Sequence, residues 1–209
     1  MEHAVTEGPE SLATYAAAVR ASPHNLLSRA GLAELETRHI PESVRFAHRL
    51  PTCTRLLDVG SGGGLPGLVI AIVRPEIEVH LLEATTKKAE FLASVAADLA
   101  LNVVVHNGRA EELARGDLAG RFLVVTARAV ARLERLIPLC APFLTRDGRL
   151  YAIKGERWAD EVTDAKTEMA RWGLSVLASP AEHPGEDPRV VVIGRRAPAA
   201  DGAGGAGRT

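Results

Sequence analysis

Cysteine is scarce, with two in 209 residues. Cys53 and Cys140 stand far apart, with no CxxC pair and no Cys/His cluster, so neither a disulfide framework nor a metal site is expected. Such usage points to a reducing, cytoplasmic setting. Aromatic residues make up only 4% of the chain, which leaves few rings to stack against unpaired bases. Long apolar runs are missing too: the richest, LPGLVIAIV at 65–73, is about half of a membrane span. The start, MEHAVTEGPE, is acidic where a secretory leader carries a basic segment followed by an apolar one. Neither sign of charge dominates, with 25 Lys plus Arg against 26 Asp plus Glu and a formal net charge of -1. This balance argues against a chain that coats nucleic acid by bulk attraction, though it leaves room for a local basic face.

What is present is the composition of a folded protein, 46% hydrophobic and 24% charged, long enough for one ordinary domain with an extension. Residues 1–50 repeat apolar positions at helical spacing, as in Leu12, Tyr15, Ala16 and Val19, and predict a helical N-terminal extension. From Arg55 onward, short runs rich in Val, Ile and Leu (55–60, 79–84, 102–107, 122–127, 149–155, 174–179 and 189–194) alternate with helical stretches at 66–73, 86–100, 131–140 and 157–172. Alternation of this kind predicts an α/β domain over 51–196, a doubly wound seven-stranded sheet covered on both faces. Only SPAEHPGEDP separates the last two strands, so they are expected to form an antiparallel hairpin with the last strand reversed. The Gly-rich end, 197–209, reads as a disordered tail.

The first predicted strand runs into DVGSGGGLPG at 58–67, with five glycines among the eight positions from Gly60 to Gly67. A tight turn needs one or two. The excess suits a nucleotide-like ligand that approaches the backbone at the start of a helix. Gly62, Gly64 and Gly67 also satisfy the dinucleotide spacing, but Asp58 at the strand end would repel a pyrophosphate and suits a cationic ligand without phosphate. S-adenosylmethionine (SAM), with its ammonium and sulfonium, fits that requirement. Glu83 closes the second strand where an acidic residue accepts ribose hydroxyls in this fold class. After the third strand, Ala110 and Glu111 are placed to frame an adenine, although Glu111 and Glu112 equally suit the first turn of a helix.

The elements LLDVGSGGGLPGLVIAIVRPE (56–76), LLEATTKKAEFL (81–92), NGRAEEL (107–113), TARAVARL (126–133) and YAIKGE (151–156), with HN at 24–25 and RHIPES at 38–43, resemble the RsmG (GidB) family of bacterial 16S ribosomal RNA guanine-N7 methyltransferases. The likeness spans about residues 10–195. It implies a Rossmann-like class I SAM methyltransferase that methylates a guanine N7 in the 530 loop of 16S rRNA. It also implies cofactor contacts from Gly60, Leu65, Ala110, Glu111 and Arg128. Leu27 and Glu42 stand where the family usually has Thr and Asp, so Asn25, His39 and Glu42 are assigned to packing between extension and core rather than to RNA.

Guanine N7 carries a lone pair and no proton, so attack on a sulfonium methyl needs alignment rather than a general base. Accordingly no Asp-Pro-Pro-Tyr element follows the fourth strand, and Cys140, in IPLCAPFL, reads as a packed core thiol. RNA contact is assigned to local cations. Residues 120–160 hold eight Lys/Arg against four Asp/Glu, a net +4, whereas residues 1–50 carry -1. Arg128, Arg132 and Arg135, spaced four and three apart, would share one face of a helix beginning near 128. Arg132, Arg135 and Lys154 are the candidate RNA contacts, with Arg128 and Lys154 placed to position the acceptor and Trp158 nearby. The partner is 16S rRNA or the small ribosomal subunit, and a monomer without membrane attachment is expected. Two other readings use the same residues: a SAM enzyme acting on a small molecule, and a SAM-binding ribosome-assembly factor without turnover.

Overall fold

The computed structural model describes residues 7–182 and 188–196; the expected disordered tail lies outside them. Helices α1 (Glu7–Ala21), α2 (Arg29–Ala33) and α3 (Ile40–Arg49) precede the sheet. Then β1 (Arg55–Val59), α4 (Gly67–Val73), β2 (Glu78–Glu83), α5 (Thr86–Asp98), β3 (Val103–Asn107), α6 (Ala110–Leu113) and β4 (Phe122–Arg128) follow in alternation. The chain ends through α7 (Leu133–Cys140), β5 (Leu144–Lys154), α8 (Trp158–Asp164), α9 (Lys166–Arg171), β6 (Ser175–Ala178) and β7 (Arg189–Gly194). The sheet order is β3-β2-β1-β4-β5-β7-β6. β1 pairs in parallel with both β2 and β4, parallel pairing continues to β3 and β5, and β7 runs antiparallel to β5 and β6. Strand order therefore reverses direction beside β1, and ligands in such sheets bind at the carboxyl ends on either side of that point.

The sequence explains why these elements form. β1 reads RLLDV and is buried at every residue after the first, as expected of a central strand covered on both faces. α4, GLVIAIV, is apolar all round and buried from Gly67 to Ile72, so it needs cover on its outer side as well as from the sheet. The extension supplies that cover. Tyr15, Val19, Phe46 and Leu50 belong to one buried cluster with Leu68, Ile70 and Leu81. Burial of each such side chain stabilises by roughly 1.5–3 kcal/mol, so extension and sheet share one core. On the opposite face, Leu57, Val125, Leu133, Ile137, Met169 and Ile193 form a second cluster.

Three local expectations are corrected. The helix expected from about 131 begins at Leu133, with Arg132 as an extended N-cap and Arg128 still in β4. The stripe of Arg128, Arg132 and Arg135 on one helix face therefore does not form. The single helix expected at 157–172 is divided at Ala165 into α8 and α9. β5 starts at Leu144, earlier than its apolar core suggests, because a register shift against β4 absorbs the polar TRDG segment. Among the described residues, no helix is long and apolar enough to cross a membrane.

Candidate cofactor crevice and its basic wall

The glycine loop leaves β1 at the carboxyl edge of the sheet. Gly60 has φ +71°, a left-handed conformation that L side chains rarely adopt, and a Cβ there would fall 2.6 Å from Val130 Cγ2. Its amide and that of Ser61 both donate to Leu82 O, at 2.8 and 3.1 Å, tying the loop to β2. Gly62, at φ +57°, leaves its surface open, the nearest atom to an added Cβ being Gly60 O at 3.8 Å. A backbone held in place yet uncovered at Gly62 suits close approach by an adenosine-like ligand.

Glu83 is buried, and its carboxylate braces this loop. Oε2 accepts the Gly62 N–H at 2.9 Å and Oε1 accepts the Thr85 N–H at 2.7 Å. Each oxygen retains a lone pair for a ribose hydroxyl. The Asn107 amide donates to Glu83 O at 3.0 Å, so the ends of β2 and β3 are joined, and the buried Ala110 and exposed Glu111 of α6 follow at the same edge. Leu65 is buried, packed in the cluster that joins the extension to the sheet.

Asp58 departs from its expected place. It lies 1% exposed beneath the loop, its Oδ1 accepting the Thr126 hydroxyl at 2.7 Å. Its Oδ2 faces Gly67, where a Cβ would approach to 2.7 Å, and no donor meets that oxygen in hydrogen-bond geometry. Burial pushes its pKa up to about 6 against the pull of Thr126. The carboxylate is therefore tied to β4, packs beneath Gly67 and does not face the crevice, so charge repulsion at Asp58 is no argument against a pyrophosphate.

Opposite the loop stands the segment between β4 and α7. Ala129 has φ +54°, a strained value for a residue with a Cβ, and this turn brings Val130 over Gly60. Arg128 turns inward: its Nη2 donates to His39 Nδ1 at 2.6 Å and lies 3.8 Å from Glu42 Oε2. Burial and the neighbouring Arg128 hold the His39 pKa down, so the ring is neutral with Nδ1 as acceptor. Burial raises the Glu42 pKa, but the hydrogen bond from Arg38 Nε at 2.7 Å and the charge of Arg128 outweigh it and leave it lowered. His39 and Glu42 reach this position through a π turn, in which the His39 amide reaches back five residues to Glu34 O. Their assignment to the junction of extension and core agrees with these contacts; Asn25, by contrast, is exposed.

The other cations separate. Arg132 pairs with Asp164 at the surface, and Arg135 is exposed on α7. The side chain of Lys154 is 6% exposed and committed, donating to Ala131 O at 2.6 Å and pairing with Glu161 Oε2 at 2.8 Å. Arg38, Arg128, Arg132 and Lys154 nevertheless line one cavity of about 430 Å³ at the carboxyl ends of β4 and β5, with Glu42 and Glu161 between them. Burial raises the pKa of both thiols, which keeps Cys53 and Cys140 protonated at neutral pH. Among the described residues, no cluster of three or more His, Cys, Asp or Glu side chains is arranged to hold a metal ion.

Two residues escaped the sequence reading. The fully buried Tyr15 of α1 donates its hydroxyl to Gly63 O at 2.8 Å, so the extension grips the glycine loop directly. Glu161 also accepts the Leu133 N–H at the start of α7, at 3.0 Å. Tyr15 was visible only as one apolar position of a helix, and Glu161 only as one acid in WADEVTD.

Comparison with known proteins assigns this geometry to a family. Residues 10–189 match the GidB family, rRNA small subunit methyltransferase G. The chain belongs to the GidB family. A GidB relative from Sorangium cellulosum, ribosomal RNA small subunit methyltransferase G, is 47% identical over 151 residues, covering 70% of this chain and 63% of the relative. The protein of that name from Mycobacterium marinum is 41% identical over 162 residues, covering 76% and 71%. The matched part thus spans about two thirds of these GidB relatives' lengths. Among solved structures, a variant of MtNAS in complex with S-adenosylmethionine aligns with a TM-score of 0.58 at 17% identity, covering 91% of this chain and 74% of that one. The mitomycin 7-O-methyltransferase MmcR aligns with a TM-score of 0.54 at 18% identity, covering 91% and 68%. These likenesses show that the GidB chain has the same Rossmann-like fold.

Proposed function

We propose that the protein transfers a methyl group from SAM to guanine N7 in the 530 loop of 16S rRNA, in the cytoplasm, on naked RNA or on the small subunit. The observation that carries the reading is the pairing of a braced glycine loop with a cation-lined cavity at the same sheet edge, in a chain of the GidB family. The loop fits the cofactor. Gly62 offers backbone approach, Glu83 has free lone pairs for the ribose, and Ala110 and Glu111, which follow at the same sheet edge, are assigned to the adenine.

Bound there, the cofactor supplies an electrophilic methyl on a sulfonium. The chain's own residues then have two tasks. The exposed Val130 shields the backbone at Gly60, and the surface cations Arg132 and Arg135 hold the acceptor by its phosphates. Guanine N7 has no proton to lose, and both thiols are protonated, so orientation supplies the rate enhancement. Arg128 contributes indirectly, by joining the crevice wall to His39 and Glu42.

The test is incubation with labelled SAM and small subunits, or naked 16S RNA, from cells lacking the modification, followed by mapping of the labelled base. Label on a guanine N7 in the 530 loop is the expected result. Absence of label at any guanine N7 on every substrate overturns the proposal.

A further inference from the structure

We infer that Glu161, paired with Lys154, is a positioning residue for methyl transfer: the pair holds the loop 129–132 that walls the crevice opposite Gly60. The inference rests on the methyltransferase reading and goes beyond it, because neither side chain then touches the reactants.

The loop has little to hold it by itself. Ala129 carries left-handed strain, Arg132 is an N-cap without a side-chain capping bond, and the Arg132–Asp164 pair is exposed. An exposed pair contributes about 0–1 kcal/mol. At one end, Arg128 ties the loop to the extension. At the other, three contacts converge on one half-buried carboxylate and its partner. Glu161 Oε2 accepts from Lys154 Nζ at 2.8 Å and from the Leu133 amide at 3.0 Å, and Lys154 Nζ also donates to Ala131 O at 2.6 Å. Lys154 closes β5 and Glu161 stands on α8, so the pair ties the loop to two elements outside the β4–α7 connection.

Geometry makes this more than support. Val130 lies between Ala129 and Ala131, and its Cγ2 would stand 2.6 Å from a Cβ on Gly60. Releasing Ala131 O shifts the residue that packs over the backbone of Gly60. A displacement of about 1 Å at a reacting geometry costs on the order of a hundredfold in rate. The cofactor braces lie elsewhere, on Glu83 and Leu82, so binding of SAM is insulated from the pair.

The test compares the full-length protein with Glu161→Gln and with the double variant Lys154→Met/Glu161→Leu. Exchanging a buried ion pair for apolar residues of similar volume is often neutral or stabilising, so the double variant separates positioning from stability. For Glu161→Gln, single-turnover methylation of small subunits is expected to fall by about tenfold to a hundredfold. SAM affinity by calorimetry should stay within about twofold, and hydrogen exchange at residues 129–133 should quicken. The double variant should regain the thermal midpoint but neither the rate nor the amide protection. Unchanged rate and protection in Glu161→Gln overturn the inference, as does a double variant that recovers both midpoint and rate. If the unaltered protein methylates no RNA, the methyltransferase reading fails, while exchange at 129–133 still decides whether the pair holds the loop.

Discussion

Asp58 illustrates how far a single residue's role depends on its surroundings. In the sequence it reads as an acid at a strand end, beside a glycine loop. In the structure it is sealed under that loop, and burial pushes its pKa from the ordinary 3.8 to about 6. The folded state therefore binds more protons than the unfolded chain between about pH 4 and 6, so Asp58's contribution is present below its unfolded pKa and lost as pH rises through 6. The difference amounts to about 3 kcal/mol at neutral pH. His39 acts in the opposite sense: its lowered pKa favours the fold above about pH 6.5 and is lost as pH falls. Comparing Asp58→Asn with the unaltered protein isolates the first effect. Urea unfolding at intervals from pH 4 to 7 should show the variant gaining relative stability by about 3 kcal/mol across that range; a constant difference would place the titration elsewhere. Lys154 shows the same dependence, since its position at the end of β5 is legible in the sequence but its commitment to Glu161 needs α8 in place.

Among the elements, the extension changes most in meaning. Its helical periodicity was legible, but that periodicity could not tell a detachable cap from a wall of the core. Tyr15, Val19, Phe46 and Leu50 share one cluster with α4 and β2, and at roughly 1.5–3 kcal/mol each they outweigh much of a domain's net stability. A chain beginning at residue 51 is therefore expected to show no cooperative thermal transition by circular dichroism. Tyr15→Phe is the finer probe. Leaving Gly63 O without its buried donor should cost about 1–3 kcal/mol in denaturant unfolding and weaken SAM binding, because the released carbonyl belongs to the cofactor loop. Equal SAM affinity in the variant would confine Tyr15 to a packing role. The β4–α7 connection departs from its sequence pattern for a related reason: RAVARL has helical spacing, but Arg128 is drawn into the sheet by pairing with Ile153 of β5, and the helix cannot start until the chain has turned over Gly60.

At the scale of the whole molecule, a net charge of -1 coexists with a +4 segment at 120–160, and the fold gathers only part of that segment at the crevice. Arg132 and Arg135 remain at the surface while Arg128 and Lys154 face inward. Replacing Arg135 or Arg132 with Ala should weaken RNA binding and lower the slope of log affinity against log salt by about 0.7 for each phosphate left without its cation. Filter binding from about 50 to 200 mM salt checks this, and slopes equal to that of the unaltered protein would remove these arginines from the RNA footprint. The sequence by itself determined the alternation of strands and helices, the reversed final strand, the glycine loop and the family, because periodicity, turn chemistry and motif spacing are local properties. Only the tertiary structure decided which charges face the crevice, which are spent on one another, and that the extension grips the loop. Those outcomes depend on partners distant along the chain, such as Tyr15 with Gly63, Arg128 with His39 and Lys154 with Ala131, and close approach between such residues exists only once the sheet has closed against its helices.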